Sequence, residues 1–197
     1  TLDLQVMGQR NKDIKNGLST PPKPTLVNLL NLLTKPAWCL GMAGSPRRGF
    51  GNIVGHAKNV SDTSSLAAWT NEQFDPCLSW EDIAWIKKTW GGKLILKGIM
   101  DAEDARYAAD TGADAIIVSN HGGRQLDGAP SSISALPHIV QAVGNDIEVW
   151  MDGGVRSGQD VLRALALGAK GTLIGRSFLY ALGAFGEAGV TRALEII

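Results

Sequence analysis

An α/β fold with parallel strands is predicted by a pattern that repeats four times along the chain. Short apolar runs occur at Lys93-Leu94-Ile95-Leu96-Lys97-Gly98, Asp114–Val118, Ile147–Met151 and Gly171–Ile174. Such runs read as buried parallel strands. Each breaks into glycine and polar residues, and a segment with helical apolar spacing follows. In this architecture ligands bind beyond the C-terminal ends of the strands. The residues just past each run are therefore the first candidates for function.

Length and composition narrow the class. The chain has 197 residues, enough for one ordinary core, and 19 basic against 19 acidic side chains. A formal charge of zero gives no global field that would draw nucleic acid. Cys39 and Cys77 fit no metal or redox spacing, no clustered His/Asp/Glu ligand set is visible, and a metal site is not expected. No basic, apolar leader opens the chain, so a reducing, cytoplasmic setting is the expectation. A complete eight-unit barrel takes about 250 residues. Four strand-helix units follow a stub, Thr1–Leu4, that reads as the end of a strand. The expectation is the C-terminal half of a TIM (β/α)8 barrel, from the end of strand 4 through helix 8.

In chain order, Thr1 to Gly17 reads as that strand end and a polar turn. Residues 18–50 are the least barrel-like stretch, an inserted loop within what is otherwise one barrel domain over 1–197. Pro21, Pro22 and Pro24 open it, Leu26–Leu33 is apolar nearly all round, and Lys35-Pro36 ends that helix-like run. The first fifty residues carry seven basic side chains and two acidic ones. The apolar run is shorter than the roughly 20 residues of a spanning helix. With Trp38 and flanking basic residues, 26–44 suggests a segment lying in a membrane interface. The alternative is a barrel helix packed on the core. Residues 51–78 are a polar connection. Ser79 caps a helix with Glu81 and Asp82 in its first turn, and its tryptophans read as core or rim packing. Helices are expected over 101–111 and 132–143, with His138 a surface residue. The segment after Phe178 reads as helices covering the core.

The chemistry gathers at the strand ends. After Asp114–Val118 comes Ser119-Asn120-His121-Gly122-Gly123-Arg124-Gln125-Leu126-Asp127. Gly122 and Gly123 tolerate positive φ, so the backbone can turn tightly there. An imidazole and a guanidinium three residues apart at this edge can serve as proton acceptor and carboxylate clamp. A structural histidine with a solvated arginine is the alternative. Lys97 ends an apolar strand, where an unpaired cation is costly. It either meets a partner in the site or snorkels to the rim. Asp152-Gly153-Gly154-Val155-Arg156-Ser157-Gly158 and Gly175-Arg176 follow two successive strands. Glycine with arginine at both matches the barrel phosphate site after strands seven and eight.

The nine-residue string, with these motifs in order, resembles the signature of the FMN-dependent α-hydroxy-acid dehydrogenase and oxidase family. The 18–50 loop is similar to the form found in members that associate with membranes. The resemblance implies FMN as cofactor and oxidation of an (S)-2-hydroxy acid, mandelate-like, to the 2-oxo acid. L-lactate or glycolate, or a half-barrel without catalysis, are the other readings. It implies His121 as the base, Asp3 hydrogen-bonded to it, and Arg124 and Arg10 on the substrate carboxylate. It implies Thr1 and Lys97 against the flavin, Asp152 at the ribityl chain, and Gly154, Arg156, Gly175 and Arg176 around the phosphate. A small 2-hydroxy acid, a membrane quinone or respiratory-chain acceptor and a homo-oligomer are the implied partners. Peripheral attachment to the inner face of the plasma membrane through 26–44 is the implied location.

Overall fold

The structure is a computed structural model that describes residues 8, 10–17, 25–45, 53, 69 and 77–197. Thr1 and Asp3, the strand end at 1–4 and most of the polar connection 51–78 lie outside the described residues. The chain divides into two units, Thr1–Cys77 and Leu78–Ile197.

In the first unit, Arg10 is exposed and precedes a short helix, α1 (Asn11–Lys15). Helix α2 (Leu26–Leu33) starts at Thr25, whose hydroxyl accepts from the Asn28 amide at 3.2 Å, while Asn28 Oδ1 accepts from the Thr25 amide at 2.9 Å. This reciprocal capping satisfies two amides that a helix start otherwise leaves open. Pro36 suits the first turn of the next helix, α3 (Pro36–Gly44), because that turn needs no amide there. The break expected at Lys35-Pro36 is thus a junction between two helices. Neither α2 nor α3 buries a residue. Leu26, Val27, Leu33 and Leu40 are each more than 70% exposed.

The second unit holds the sheet. Strands β1 (Ile95–Ile99), β2 (Ala115–Val118), β3 (Glu148–Asp152) and β4 (Gly171–Leu173) lie in the order β1-β2-β3-β4, all parallel. Helices α4 (Trp80–Trp90), α5 (Ala102–Asp110), α6 (Ser132–Val143), α7 (Gly158–Ala166) and α8 (Arg176–Ile196) precede, separate and follow them. Sequential strands joined by helices in unbroken order are the arrangement of half a (β/α)8 barrel.

Alternation along the strands sorts side chains onto two faces. Ile116 and Val118 of β2 join Val149 and Met151 of β3 in the main core, against Leu136, Ile139 and Val143 of α6 and the buried alanines 105, 108 and 164. The opposite face carries Lys97, Ile117 and Trp150 in register across three strands. Two residues further along, the same face carries Ser119 and Asp152. Period-two geometry therefore delivers Lys97, Ser119 and Asp152 to one face, with Ser119 and Asp152 a step nearer the C-terminal edge.

Two expectations about packing are corrected. Trp85 and Trp90 of α4 are exposed, and only Trp80 packs on the core, stacked with Tyr107 at 5.7 Å. The segment after Phe178 covers the core only in part: Ile197 packs on it, while α8 buries only Gly189 and leaves Leu179, Tyr180, Phe185 and Leu194 exposed. Gly186, at φ 61°, kinks this helix and turns Phe185 outward. His138 is exposed on α6, as its position outside any strand end implied.

Candidate active site

The C-terminal part of β1 and the segments that follow β2, β3 and β4 build the site. In β1 the register slips between Lys97 and Ile99, so Gly98 is bulged at φ 100°. Only glycine adopts this backbone without strain. The bulge lets the His121 ring approach closely: a methyl group at Gly98 would lie 3.0 Å from His121 Cε1. Glycine inside a strand pattern signals a bulge or a close approach, and that signal stood in the sequence unread.

After β2 the backbone enters a short 3-10 turn, His121–Gly123. The φ angles of His121, Gly122 and Gly123 are 56°, 67° and 70°. Two are glycines, as the turn requires. His121 is the one non-glycine at positive φ among the described residues, a conformation that costs about 1–3 kcal/mol and has to be held. Holding it are Ser119, whose Oγ accepts from the His121 amide at 3.1 Å, and Asn120, whose Oδ1 accepts from the Gly123 amide at 3.3 Å. Asn120 also donates to the Pro130 carbonyl at 3.1 Å, tying the far side of the loop.

Lys97 is paired. Its Nζ lies 3.2 Å from Asp152 Oδ2 and donates to Ser119 Oγ at 3.1 Å. The rim-snorkelling alternative is thereby replaced by an inward pair. The other carboxylate oxygen, Asp152 Oδ1, is buried without a hydrogen-bond partner among the described residues. A buried acceptor left open calls for a donor from a bound group or water.

A cavity of about 400 Å³ lies alongside, lined among others by Asn120, Gly122, Ser132, Gly153, Gly154, Arg163 and Arg176. Gly153 and Gly154 are at φ 98° and 77°. A methyl at Gly153 would stand 2.9 Å from Ser132 Oγ, another buried atom without a partner. Arg176 donates from Nη2 to the Gly122 carbonyl at 2.9 Å. Asp160 fixes the loop below, accepting from the Arg156 and Ser157 amides at 3.1 Å each and from the Ser157 hydroxyl at 2.9 Å. The Arg156 amide and then the Ser157 hydroxyl hold the Asp160 carboxyl below its ordinary range. Asp160 and its partner Arg163 close off the start of α7, so the groups left for a ligand are the Gly153-Gly154 turn, the unpartnered Ser132 Oγ and Arg176, donors suited to a phosphate. A phosphate-bearing cofactor fits these residues.

Of the residues expected to form the site, Lys97, His121 and Asp152 are brought together, and Gly154 and Arg176 line the cavity. Arg124 is exposed on the His121 loop. Arg156 and Gly175 are also exposed and lie outside the cavity lining. Ser119, Gly98, Asn120 and Ser132 were assigned no role by the sequence.

The comparisons agree with this geometry. A family model described as FMN-dependent dehydrogenase matches residues 1–197. The chain belongs to this family. It is 49% identical over 199 residues to an L-lactate dehydrogenase of Caulobacter vibrioides, covering all of this chain and 51% of that protein. To an L-lactate dehydrogenase of Pseudomonas syringae pv. syringae it is 48% identical over 198 residues, covering 52% of that protein. The structure of the monotopic membrane protein (S)-mandelate dehydrogenase matches 98% of this chain and 51% of its own, with TM-score 0.89 and 38% identity. A mandelate oxidase mutant with the monooxide FMN adduct matches 63% of this chain and 39% of its own, with TM-score 0.60 and 50% identity. The chain spans about half the length of the curated relatives it matches. FMN, the cofactor expected from the motifs, is the one the family description carries.

Proposed function

We propose that this chain forms the C-terminal half of the active barrel of an FMN-dependent (S)-2-hydroxy-acid dehydrogenase. One observation carries the reading: Lys97, Ser119, His121 and Asp152 converge at the C-terminal edge of the sheet, beside a glycine-lined cavity suited to phosphate. Bound FMN supplies a two-electron acceptor. Arg124 and Arg10 clamp the substrate carboxylate, since a guanidinium matches a carboxylate bidentately. His121 takes the proton that leaves the substrate, and Asp3 on the far ring nitrogen stabilises the imidazolium. Thr1 and Lys97 lie against the isoalloxazine, with Lys97 supplying positive charge. Asp152 accepts from the ribityl hydroxyls. Gly154, Arg156, Gly175 and Arg176 hold the phosphate.

The substrate we favour is mandelate-like, in keeping with the TM-score of 0.89 to (S)-mandelate dehydrogenase. L-lactate is the second reading, favoured by the relatives of that name at 48–49% identity. The absorption spectrum of the purified protein, followed by anaerobic addition of (S)-mandelate or L-lactate, tests both. A flavin spectrum bleached faster by mandelate supports the first reading. Faster bleaching by lactate selects the second, and a flavin inert to both refutes the reaction class.

We further propose that 18–50, an insertion in the single barrel domain 1–197, rests on the cytoplasmic membrane surface through 26–44 and passes electrons to a quinone or respiratory chain, the enzyme being a homo-oligomer. The exposed apolar side chains of α2 and α3 support this. Among the described residues no helix is long and apolar enough to cross a membrane. Co-sedimentation with anionic vesicles is expected, and its loss in a Leu26→Ser/Leu33→Ser variant with unchanged turnover checks it. Detergent-free protein that stays monodisperse and ignores vesicles overturns the attachment.

A further inference from the structure

We infer that Ser119 is a positioning residue that sets both the proton acceptor and the cation of this site through one hydroxyl. The inference rests on the proposed roles of His121 and Lys97 and deepens them. Ser119 is 1% exposed, the more buried of the two buried polar side chains among the described residues. A serine oxygen accepts two hydrogen bonds. Here the Lys97 ammonium takes one and the His121 amide the other, each at 3.1 Å.

One donor sits in β1 and the other in the turn after β2, and they serve different chemical tasks. The amide bond anchors a histidine whose φ of 56° is otherwise unfavourable. The ammonium bond divides Lys97 between Ser119 and the Asp152 carboxylate, 3.2 Å away. Without the hydroxyl, Asp152 is the one partner left to Lys97 among the described residues. The cation is then drawn toward β3, and the His121 backbone is free to leave the left-handed region. A merely space-filling serine would do neither.

The test compares wild type, Ser119→Ala and Ser119→Thr in the FMN-loaded protein, with His121→Ala as reference. Hydrogen bonds to charged donors are worth enough that Ser119→Ala should lose on the order of tenfold or more in kcat. KM should stay within about twofold, because no substrate contact is removed. The reduction potential of the bound FMN should shift negative, as the cation moves away. The His121 amide should lose roughly tenfold in hydrogen-exchange protection, a readout independent of turnover. Ser119→Thr keeps the oxygen and should recover most of the kcat and potential. Should Ser119→Ala not fold, Ser119→Cys, with its weak acceptor, takes its place and is expected to show the same losses in milder form.

An alanine or cysteine variant with wild-type kcat, potential and exchange overturns the proposal. Equal losses in the threonine variant also overturn it, because packing and not the oxygen would then be at stake. His121→Ala distinguishes the two levels of failure. If it retains turnover, the assignment of His121 as base fails and takes this inference with it. If it is inactive while Ser119→Ala is normal, only the inference fails.

Discussion

The two ends of β2 are built to opposite rules. At the N-terminal end, Asp114 is saturated: Lys87 and Lys93 pair with its two oxygens, and the Leu94 amide donates to Oδ2 at 2.9 Å. Lys87 first, then Lys93 and the amide, hold its carboxyl well below the usual range, and Asp114 in turn raises Lys93. Beyond the C-terminal end the backbone is strained at His121, and at the same edge of the neighbouring β3 Asp152 Oδ1 has no hydrogen-bond partner among the described residues. One end spends its polar groups on each other, and the other keeps them open for a ligand. In a strand-helix barrel this is the division between the stability face and the catalytic face.

Substitutions at the two ends should therefore fail in different ways. The largest effect is expected at His121. His121→Ala should lower kcat by about 10³-fold, within the usual range for a general base, while the flavin spectrum is retained. Stopped-flow reduction by substrate measures it, and loss of flavin instead would assign His121 to cofactor binding.

Gly98→Ala comes next. Alanine at φ 100° costs about 1–3 kcal/mol, and its methyl displaces the imidazole. A base misplaced by about 1 Å loses on the order of 100-fold in turnover, so thermal melting and kcat should both fall. A kcat that survives would show that the bulge serves the strand alone.

Arg176→Gln should weaken FMN binding roughly tenfold while leaving riboflavin affinity unchanged, because only FMN carries the phosphate. Titration by flavin fluorescence separates the two, and equal losses would place Arg176 against the ring.

The smallest effect should come from the opposite end of β2. Asp114→Asn is expected to lower the thermal midpoint slightly and leave kcat and KM unaltered. Because the folded carboxyl titrates below its ordinary value of 3.8, its stabilisation is complete above about pH 4. It is lost as pH falls further, toward the depressed value. The difference in melting between wild type and Asp114→Asn should therefore be constant near neutrality and vanish in strong acid. A change in kcat at pH 7 would break the division between the two ends.

Much of the fold was legible because its signals are local. The helix starts at Ser79 and Ser157 carry their own capping partners three residues on, Asp82 and Asp160. The strands announced themselves as apolar runs between glycines. Site residues were legible where type and position coincide, as for Lys97 near the end of β1 and Asp152 at the end of β3. Gly98, Ser119 and Ser132 were not, since glycine and serine are common and their meaning lies in what stands opposite. The burial of α4 tryptophans and of α8 was misread for a related reason. An apolar residue shows that a surface favours cover, not whether the cover is there.

The sequence by itself determined four parallel strand-helix units, the family, and the loops that carry the chemistry, because alternation, capping and glycine placement act over a few residues. Only the tertiary structure decided that Lys97 turns inward to Asp152 and that Ser119 joins it to His121. The two Lys97 contacts cross 22 and 55 positions of chain, and register between parallel strands, set by the packing of the helices behind them, is what brings the partners within 3.2 Å.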